Sequence, residues 1–376
     1  MKQTKTLFLL LLGILCVQIV SLEPALSLPN MERGNLVENI KRESVELRQR
    51  VEETIFSAKE IKTYDSLVLV GDVMLGRNVE VLMRRETTSY PFEGLTLATL
   101  APNPAIVGNF ESAMATPHIM TEALQMRFSV DEIFLPSLEA AGFTHMSQAN
   151  NHSFDYDIKG FTYTSRALER QSIVTFGNSS EIVKSSITYI ESESGTVALV
   201  GINSSAHIPR TQEFSVVLDE ASKHSSIQIV YIHWGTEYEI IHSRAQELLA
   251  KELVAAGADL IVGHHPHVVQ DVDIIDGVVV FYSLGNYIFD QYFSQEVQEG
   301  LVLTLSLDET PVVMLVPVTS VAELSKPTLM EPRLHSQFLD SLAQRSDPQL
   351  QENIKKGVIP LGLGVATSTK MAMMVR

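Results

Sequence analysis

Ser66-Leu67-Val68-Leu69-Val70-Gly71-Asp72-Val73-Met74-Leu75-Gly76-Arg77 decides how the rest of the chain is read. A short, unbroken run of mostly branched apolar side chains offers no polar face, so residues 67–70 predict a strand buried on both sides. The run stops abruptly at Gly71-Asp72, leaving a carboxylate at the strand's end. The pattern recurs along the chain. Residues 105–107 lead into Gly108-Asn109-Phe110-Glu111, residues 144–147 into Asn150-Asn151-His152, and residues 197–200 into Gly201. Residues 227–232 then lead into His233, residues 259–262 into Gly263-His264-His265, and residues 278–282 into Ser283. Helical stretches lie between several of these runs. Residues 131–141 are closed by Gly142, with Pro136 suited to the first turn, and residues 244–256 are closed by Gly257. Strand, polar loop, helix, strand predicts an α/β fold, in which ligands gather beyond the carboxyl ends of the strands.

The residues left at those ends are metal-ligand types. They are Asp72; Asn109 and Glu111; Asn151-His152 with Asp155; His233 with Glu237 four residues on; and His265-Pro266-His267. Imidazole nitrogen mixed with carboxylate and amide oxygen suits Mn, Fe or Zn rather than Ca. Pro266 stiffens its segment, and residues two apart in extended backbone point the same way, so His265 and His267 could meet one ion or two adjacent ions. Taken singly, each residue has an ordinary reading. Asp72 could be a turn or helix-cap residue, Asn109 and Asn150-Asn151 turn residues, and His233, beside Trp234, a core histidine. Their joint recurrence at strand ends argues for a divalent-metal centre. His145 reads as structural. Backbone alternation turns His264 away from His265, and His118, His207, His224, His242 and His335 have no supporting context.

The chain has 376 residues, 45% hydrophobic and 19% charged, enough to bury a sizeable core. A net charge of −17 argues against nucleic acid as a partner, because phosphates need an excess of Lys and Arg. Cys16 is the one cysteine, which excludes an internal disulfide framework and a multi-cysteine zinc site. Residues 1–27 read as a signal peptide or membrane anchor. Lys2 and Lys5 precede an apolar run over residues 7–20, and Ala25 and Ser27 offer a cleavage site. An extracytoplasmic location is therefore expected. Residues 28–64 read as a helical stalk, with Leu36, Ile40, Leu47, Val51 and Ile55 on one face. Residues 65–320 form the predicted α/β domain. Residues 321–376 are expected to hold a helix through Leu334, Phe338, Leu339 and Leu342, then a poorly ordered tail from Gly357.

Six blocks occur in a familiar order: Gly71 to Arg77, Gly108 to Glu111, Ala149-Asn150-Asn151-His152-Ser153-Phe154-Asp155-Tyr156, His233-Trp234-Gly235-Thr236-Glu237-Tyr238, Gly263-His264-His265-Pro266-His267-Val268-Val269-Gln270, and Tyr282-Ser283-Leu284-Gly285-Asn286-Tyr287-Ile288-Phe289-Asp290-Gln291. Together they resemble the CapA family, the capsule (poly-γ-glutamate) synthesis proteins related to calcineurin-like metallophosphoesterases. The resemblance implies two packed β-sheets with helices outside, in four layers α/β/β/α, and a one- or two-metal centre between loops. It puts Asp72 on the first metal, Glu111 or Asn109 near the bridging position, Asn151 and His233 on the second metal, and His265 and His267 completing the set. It makes His152 the general acid or phosphate-binding imidazole. Two departures from typical phosphoesterases are shared by the CapA family. Met74, a poor ligand for hard ions, stands where they carry a histidine, and the Asn109/Glu111 element replaces their bridging aspartate. Arg77 is placed to hold a substrate carboxylate or phosphate, or else is a surface helix residue; Glu237 and Asn286 stand with it as substrate-binding candidates.

Three functions follow as alternatives. The first is a metal-dependent hydrolase or transfer component acting on an anionic polymer such as poly-γ-glutamate, with membrane synthase subunits as possible partners. The second is a general phosphoesterase, and the third a non-catalytic module that binds the polymer or its synthase. The sequence has neither a phosphate-cradling glycine-lysine loop nor a serine-nucleophile elbow.

Overall fold

In the computed structural model, which describes residues 62–362 except 123, 124, 206 and 309, the strand Ser66–Val73 is buried along its whole length. Its side chains divide by parity. Leu67 and Leu69 enter one apolar cluster, and Val68 and Val70 enter another on the opposite face. The strand therefore lies in a sheet covered on both sides, as its unbroken apolar run predicts. It pairs in parallel with Pro104–Phe110 and antiparallel with Glu299–Ser306. Beyond these, the nine-stranded sheet runs through Phe143–Ser147 to Val174–Phe176 on one side and through Val312–Thr319 to Thr328–Leu329 on the other.

A second, six-stranded sheet contains, in order, Ile187–Ser192, Gly195–Asn203, Ile227–His233, Leu260–His264, Val278–Phe281 and Val272–Ile275. The same parity rule joins it to the first. Leu199, Tyr231 and Val262 share a cluster with Leu67 and Leu69, whereas Val200, Val230 and Ile261 face outward. Helices Thr211–Ser222 and Arg244–Ala255 cover that outer face through Phe214, Leu218, Leu249 and Leu253. Phe134, Leu135 and Leu138, with Met83 from helix Arg77–Arg85, cover the outer face of the first sheet. The result is the expected four-layer α/β fold of two packed sheets flanked by helices.

The helix expected over residues 131–141 begins as a 3₁₀ turn, Glu132–Phe134, and becomes regular at Leu135–Ala140, where Pro136 occupies the first turn. Helix Arg244–Ala255 is opened by Ser243, whose hydroxyl accepts from Gln246 N while the Gln246 side chain accepts from Ser243 N. The C-terminal helix, Pro332–Arg345, does not stand apart from the domain expected to close at residue 320. Phe338, Leu339 and Leu342 enter the cluster between the sheets. Nor is the segment from Gly357 irregular throughout, because Val358–Pro360 pairs with Val312–Thr319. Among the described residues, no helix is long and apolar enough to cross a membrane. The apolar run over residues 7–20 and the stalk up to residue 61 lie outside the described residues.

Two glycines let the strand ends converge. A Cβ at Gly71 would stand 2.0 Å from the Gly285 carbonyl oxygen, and one at Gly263 would stand 1.9 Å from that of Tyr282. Both contacts are with backbone, which cannot swing aside. Gly71→Ala is therefore expected to lower stability by about 2–3 kcal/mol, read as a lower denaturation midpoint at unchanged slope. Val81→Ala, at an exposed helix position, should stay within about 0.5 kcal/mol of the parent.

Candidate metal centre

Asp72 sits where its strand loses register. Pairing with Pro104–Phe110 shifts between Leu69 and Asp72, and pairing with Asn286–Ile288 shifts between Asp72 and Val73. Such irregularities re-aim a side chain. The carboxylate points at the ends of the second sheet. Its Oδ2 accepts from His265 N (3.3 Å) and lies 3.4 Å from His267 Nδ1, and its Oδ1 lies 3.3 Å from His264 Nδ1. Burial alone would raise the Asp72 carboxyl, but His264 and His267 outweigh it and hold the group well below the usual carboxylate range.

Glu111 is the unsatisfied carboxylate of this neighbourhood. The side chain is fully buried, and neither oxygen has a hydrogen-bond partner among the described residues. Around it stand His267 Nε2 at 3.7 Å and His152 Nε2 at 3.8 Å. Burial, with the nearby charges of Asp72 and Glu237, pushes its carboxyl well above the ordinary value. Glu111 also belongs to two groups of ligand atoms, each gathered within 4.8 Å: Glu111 with His265 and His267, and Asp72 with Glu111 and His233. A buried carboxylate without donors, shared by two such sets, is what one cation or a pair would complete. The donor set fits a divalent metal.

The histidines are oriented by a second layer. Asn286 Nδ2 donates to Val297 O and Gln291 Oε1, which fixes the amide so that Oδ1 must accept from His267 Nδ1–H (2.9 Å). That leaves His267 Nε2 toward Glu111. Asn286, expected to bind substrate, is instead 6% exposed with its amide fully engaged, and it orients the His267 ring. Asn109 is similarly committed: Nδ2 donates to Asp72 Oδ1 (2.8 Å) and to His233 Nδ1 (3.1 Å), and Oδ1 accepts from Asn150 Nδ2 (3.0 Å). Its amide therefore aligns the groups beside it, while Glu111 is the residue common to both candidate ligand groups. Asn151 lies in the centre, where its Oδ1 accepts from His233 Nε2 at 2.8 Å.

The backbone of the His265-Pro266-His267 segment is not extended. His265 and His267 both have positive φ, 98° and 59°, so a left-handed kink at each brings the rings together, with centroids 6.0 Å apart. This conformation is costly for residues with a Cβ and is maintained by the surrounding structure. His233 lies 4.6 Å from His265, ring to ring. Burial, followed by the charge of the neighbouring imidazoles, pulls His233 well down and His265 down to about 4. Burial also opposes the charge on His267, but Glu111 and Asp72 overcome it and raise that ring to about 9.

His152 faces the same carboxylate from the first sheet. Its Nδ1 pairs with Asp155 Oδ2 (2.9 Å), which also accepts from Phe128 N (2.6 Å), and the ring stacks on Phe128 at 3.7 Å. With Nδ1–H donated to Asp155, Nε2 is the ring atom left facing Glu111. Phe128, in the irregular segment after Glu111, carried no sequence signal. Arg77 is not a surface residue. It is 7% exposed at φ 48°, with its guanidinium paired to Asp290 and 4.3 Å from the Phe128 ring centroid. Glu237 is half-buried and adds negative charge toward Glu111, His265 and His267. Met74 turns its sulfur to Gly76 N (3.0 Å) within the outer core. His264, set aside on alternation, lies toward the space between the sheets, where it reaches Asp72 and packs on Tyr231.

The model of the bacterial capsule synthesis protein family PGA_cap matches residues 66–291, more than half of the chain. The chain belongs to that family. Among curated relatives, the PGA biosynthesis protein CapA of Bacillus subtilis is 32% identical over 262 residues, covering 64% of this chain and 69% of that one. The capsule biosynthesis protein CapA of Bacillus anthracis is 33% identical over 259 residues, 63% of this chain and 62% of its own length. A probable polyglutamine synthesis accessory protein of Mycobacterium tuberculosis is 21% identical over 284 residues, 60% of this chain and 74% of that one. All six motif blocks fall inside the stretch matched to PGA_cap, so that family's sequence pattern coincides with the residues assembled here.

Two outcomes are expected. In the metal-free protein His267 holds a proton below about 9 and must lose it to become a ligand, so loading releases protons. Metal affinity should therefore rise with pH between about 6 and 8, by about tenfold per pH unit for each proton displaced, as read by calorimetric titration in buffers of different ionisation enthalpy. Asn286→Ala should weaken metal binding by about 10- to 100-fold in competition with a chelator, with Asn286→Asp, which keeps the acceptor, closer to the parent.

Proposed function

We propose that this chain is a CapA-like component of capsule or poly-γ-glutamate synthesis. In this reading it is a metal-dependent hydrolase or transfer enzyme that acts outside the cytoplasm on an anionic, amide-linked polymer. The observation that carries the reading is Glu111: a buried carboxylate with both oxygens unpartnered, shared by two ligand sets and faced by the Nε2 of His152. Asp72, Glu111, His233, His265 and His267 would hold the ion or ions, with Asn151 beside them. Mn, Fe or Zn suits this mixture of imidazole and oxygen donors. A divalent cation there supplies Lewis-acid polarisation and acidifies water toward a pKa of about 7.

The protein's own groups supply the rest. Asp155 takes the His152 Nδ1 proton in a hydrogen bond, and the Phe128 ring fixes the imidazole plane. Nε2 is thus the atom that delivers a proton to a departing nitrogen or oxygen, or removes one from water. Names of the Bacillus relatives, which refer to capsule and PGA biosynthesis, favour a γ-linked glutamate polymer as the substrate class. Lys2, Lys5 and the apolar run over residues 7–20 support export or membrane attachment, which would bring the site to the polymer and to any synthase subunits.

The test is metal analysis of the full chain, followed by assays with and without Mn on γ-linked glutamate oligomers and on an aryl phosphodiester. Cleavage of the oligomer is expected, and His152→Ala should lower it by about 10²- to 10⁴-fold with metal content unchanged. Turnover of the phosphodiester alone would identify a general phosphoesterase instead. Polymer binding without turnover of either substrate would make the chain a binding module.

A further inference from the structure

Behind the loop that carries His265 and His267 lies a second concavity. Helix Pro332–Arg345 forms one wall, and Ile240, Val269 and the segment Gln295 to Glu299 form the other. Its volume is about 270 Å³, close to the lower end of ligand pockets at ~300 Å³ and suited to a short length of chain. Arg345 stands in it as an unusual cation. Its Nη1 donates to Ser341 Oγ (3.1 Å) and its Nη2 to the Val269 carbonyl (3.2 Å), while Nε is buried and has no partner. The carboxylates it senses, Asp271 and Glu299, act at a distance; among the described residues none forms an ion pair with it. Nε is closed off from the cleft, but a partly desolvated guanidinium without an ion pair, with a second N–H left on each Nη, is completed by a carboxylate.

The remaining lining adds a second requirement. Glu299 and the exposed Glu296 are acceptors, and Gln295 and Gln337 offer amides, with Gln295 Nε2 already donating to Glu299 (2.6 Å). Two carboxylates beside one arginine repel closely spaced charge such as that of phosphate. The cleft therefore takes one carboxylate at a time, with any others of the ligand outside it, and would accept N–H groups from the ligand's own amides. Ile240 and Leu334, 45% and 46% exposed, offer apolar contact for methylenes between those polar groups. One carboxylate, neighbouring amides and short methylene spacers together describe a repeating amide chain with acidic side groups.

We propose that this cleft is a binding subsite for an amide-linked, carboxylate-bearing chain, with Arg345 pairing to one carboxylate. The site is distinct from the metal centre and separated from it by one loop, since Val269 lines the cleft and His267, two residues earlier, lines the centre. A chain held here would be anchored while another part of it lies among the metal ligands. The choice of γ-linked glutamate as probe rests on the function proposed above; the carboxylate and amide chemistry rests on the cleft alone.

The test is calorimetric binding of a γ-linked glutamate oligomer and of inorganic phosphate to the full chain loaded with Mn, alongside turnover of the oligomer. Arg345→Gln is expected to raise the oligomer's Kd by about ten- to a hundredfold with metal content unchanged. Gln337 is exposed, so its replacement leaves the core intact; Gln337→Glu should weaken binding and Gln337→Lys tighten it. Phosphate should bind the cleft far more weakly than the oligomer. Equal oligomer affinity in the parent, Arg345→Gln and Gln337→Glu overturns the subsite even if the oligomer is cleaved, and leaves the hydrolase reading standing. Arg345-dependent binding without turnover upholds the subsite and removes the hydrolase reading. No oligomer binding, or phosphate bound through Arg345 as tightly as the oligomer, overturns the subsite.

Discussion

Two carboxylates, Asp72 and Glu111, are fully buried where the ends of the two sheets meet. Removing such groups from water costs several kcal/mol each unless charge or hydrogen bonds compensate. Asp72 is compensated by Asn109, the His265 backbone and flanking imidazoles, whereas Glu111 has no comparable contact. Much of the local architecture can be read as a response to this imbalance. A proton or a cation must accompany Glu111, and the imidazoles His152 and His267 each turn a ring nitrogen toward it. The fold and its chemistry meet in that requirement.

Convergence is built from backbone as much as from side chains. Gly71 and Gly263 let strand ends approach within distances that any Cβ would block. Kinks at His265 and His267 turn two ring nitrogens inward, and Asp72 itself accepts from the His265 amide, so one carboxylate holds the loop that frames it. The order of construction is sheet, kinked loop, ligand. Asn286, Asn109 and Asp155 then set ring orientation and tautomer.

The α/β class and most strands were legible because residues such as 67–70 and 227–232 are apolar without interruption and end in conspicuous polar residues. The strand Glu299–Ser306 was not singled out, although Leu301, Val302 and Leu303 are as apolar, because no ligand-type residue closes it. Ligand types were also legible, since carboxylates and histidines at strand ends are few. Their duties were less so. Asn286 carries the same amide whether it meets a substrate or steers an imidazole, and only its filled hydrogen bonds decide. Alternation set His264 aside, but one chain segment cannot reveal that Asp72 arrives beside it from the other sheet. The assumption that His265-Pro266-His267 was extended failed because the surrounding structure overrides the extended preference that proline gives the residue before it, His265, and proline sets no φ at His267.

The C-terminal helix has one more implication. Its residues Phe338, Leu339 and Leu342 fill the space between the sheets beside Leu303 and Leu315, while every proposed metal ligand lies before residue 268 in the chain. During synthesis the proposed ligands emerge first and the helix that plugs the sandwich emerges after them. Until it docks, the nascent chain carries a greasy slot open to water beside a half-made ion cage, a stage at which premature metal capture and self-association would compete with completion of the fold.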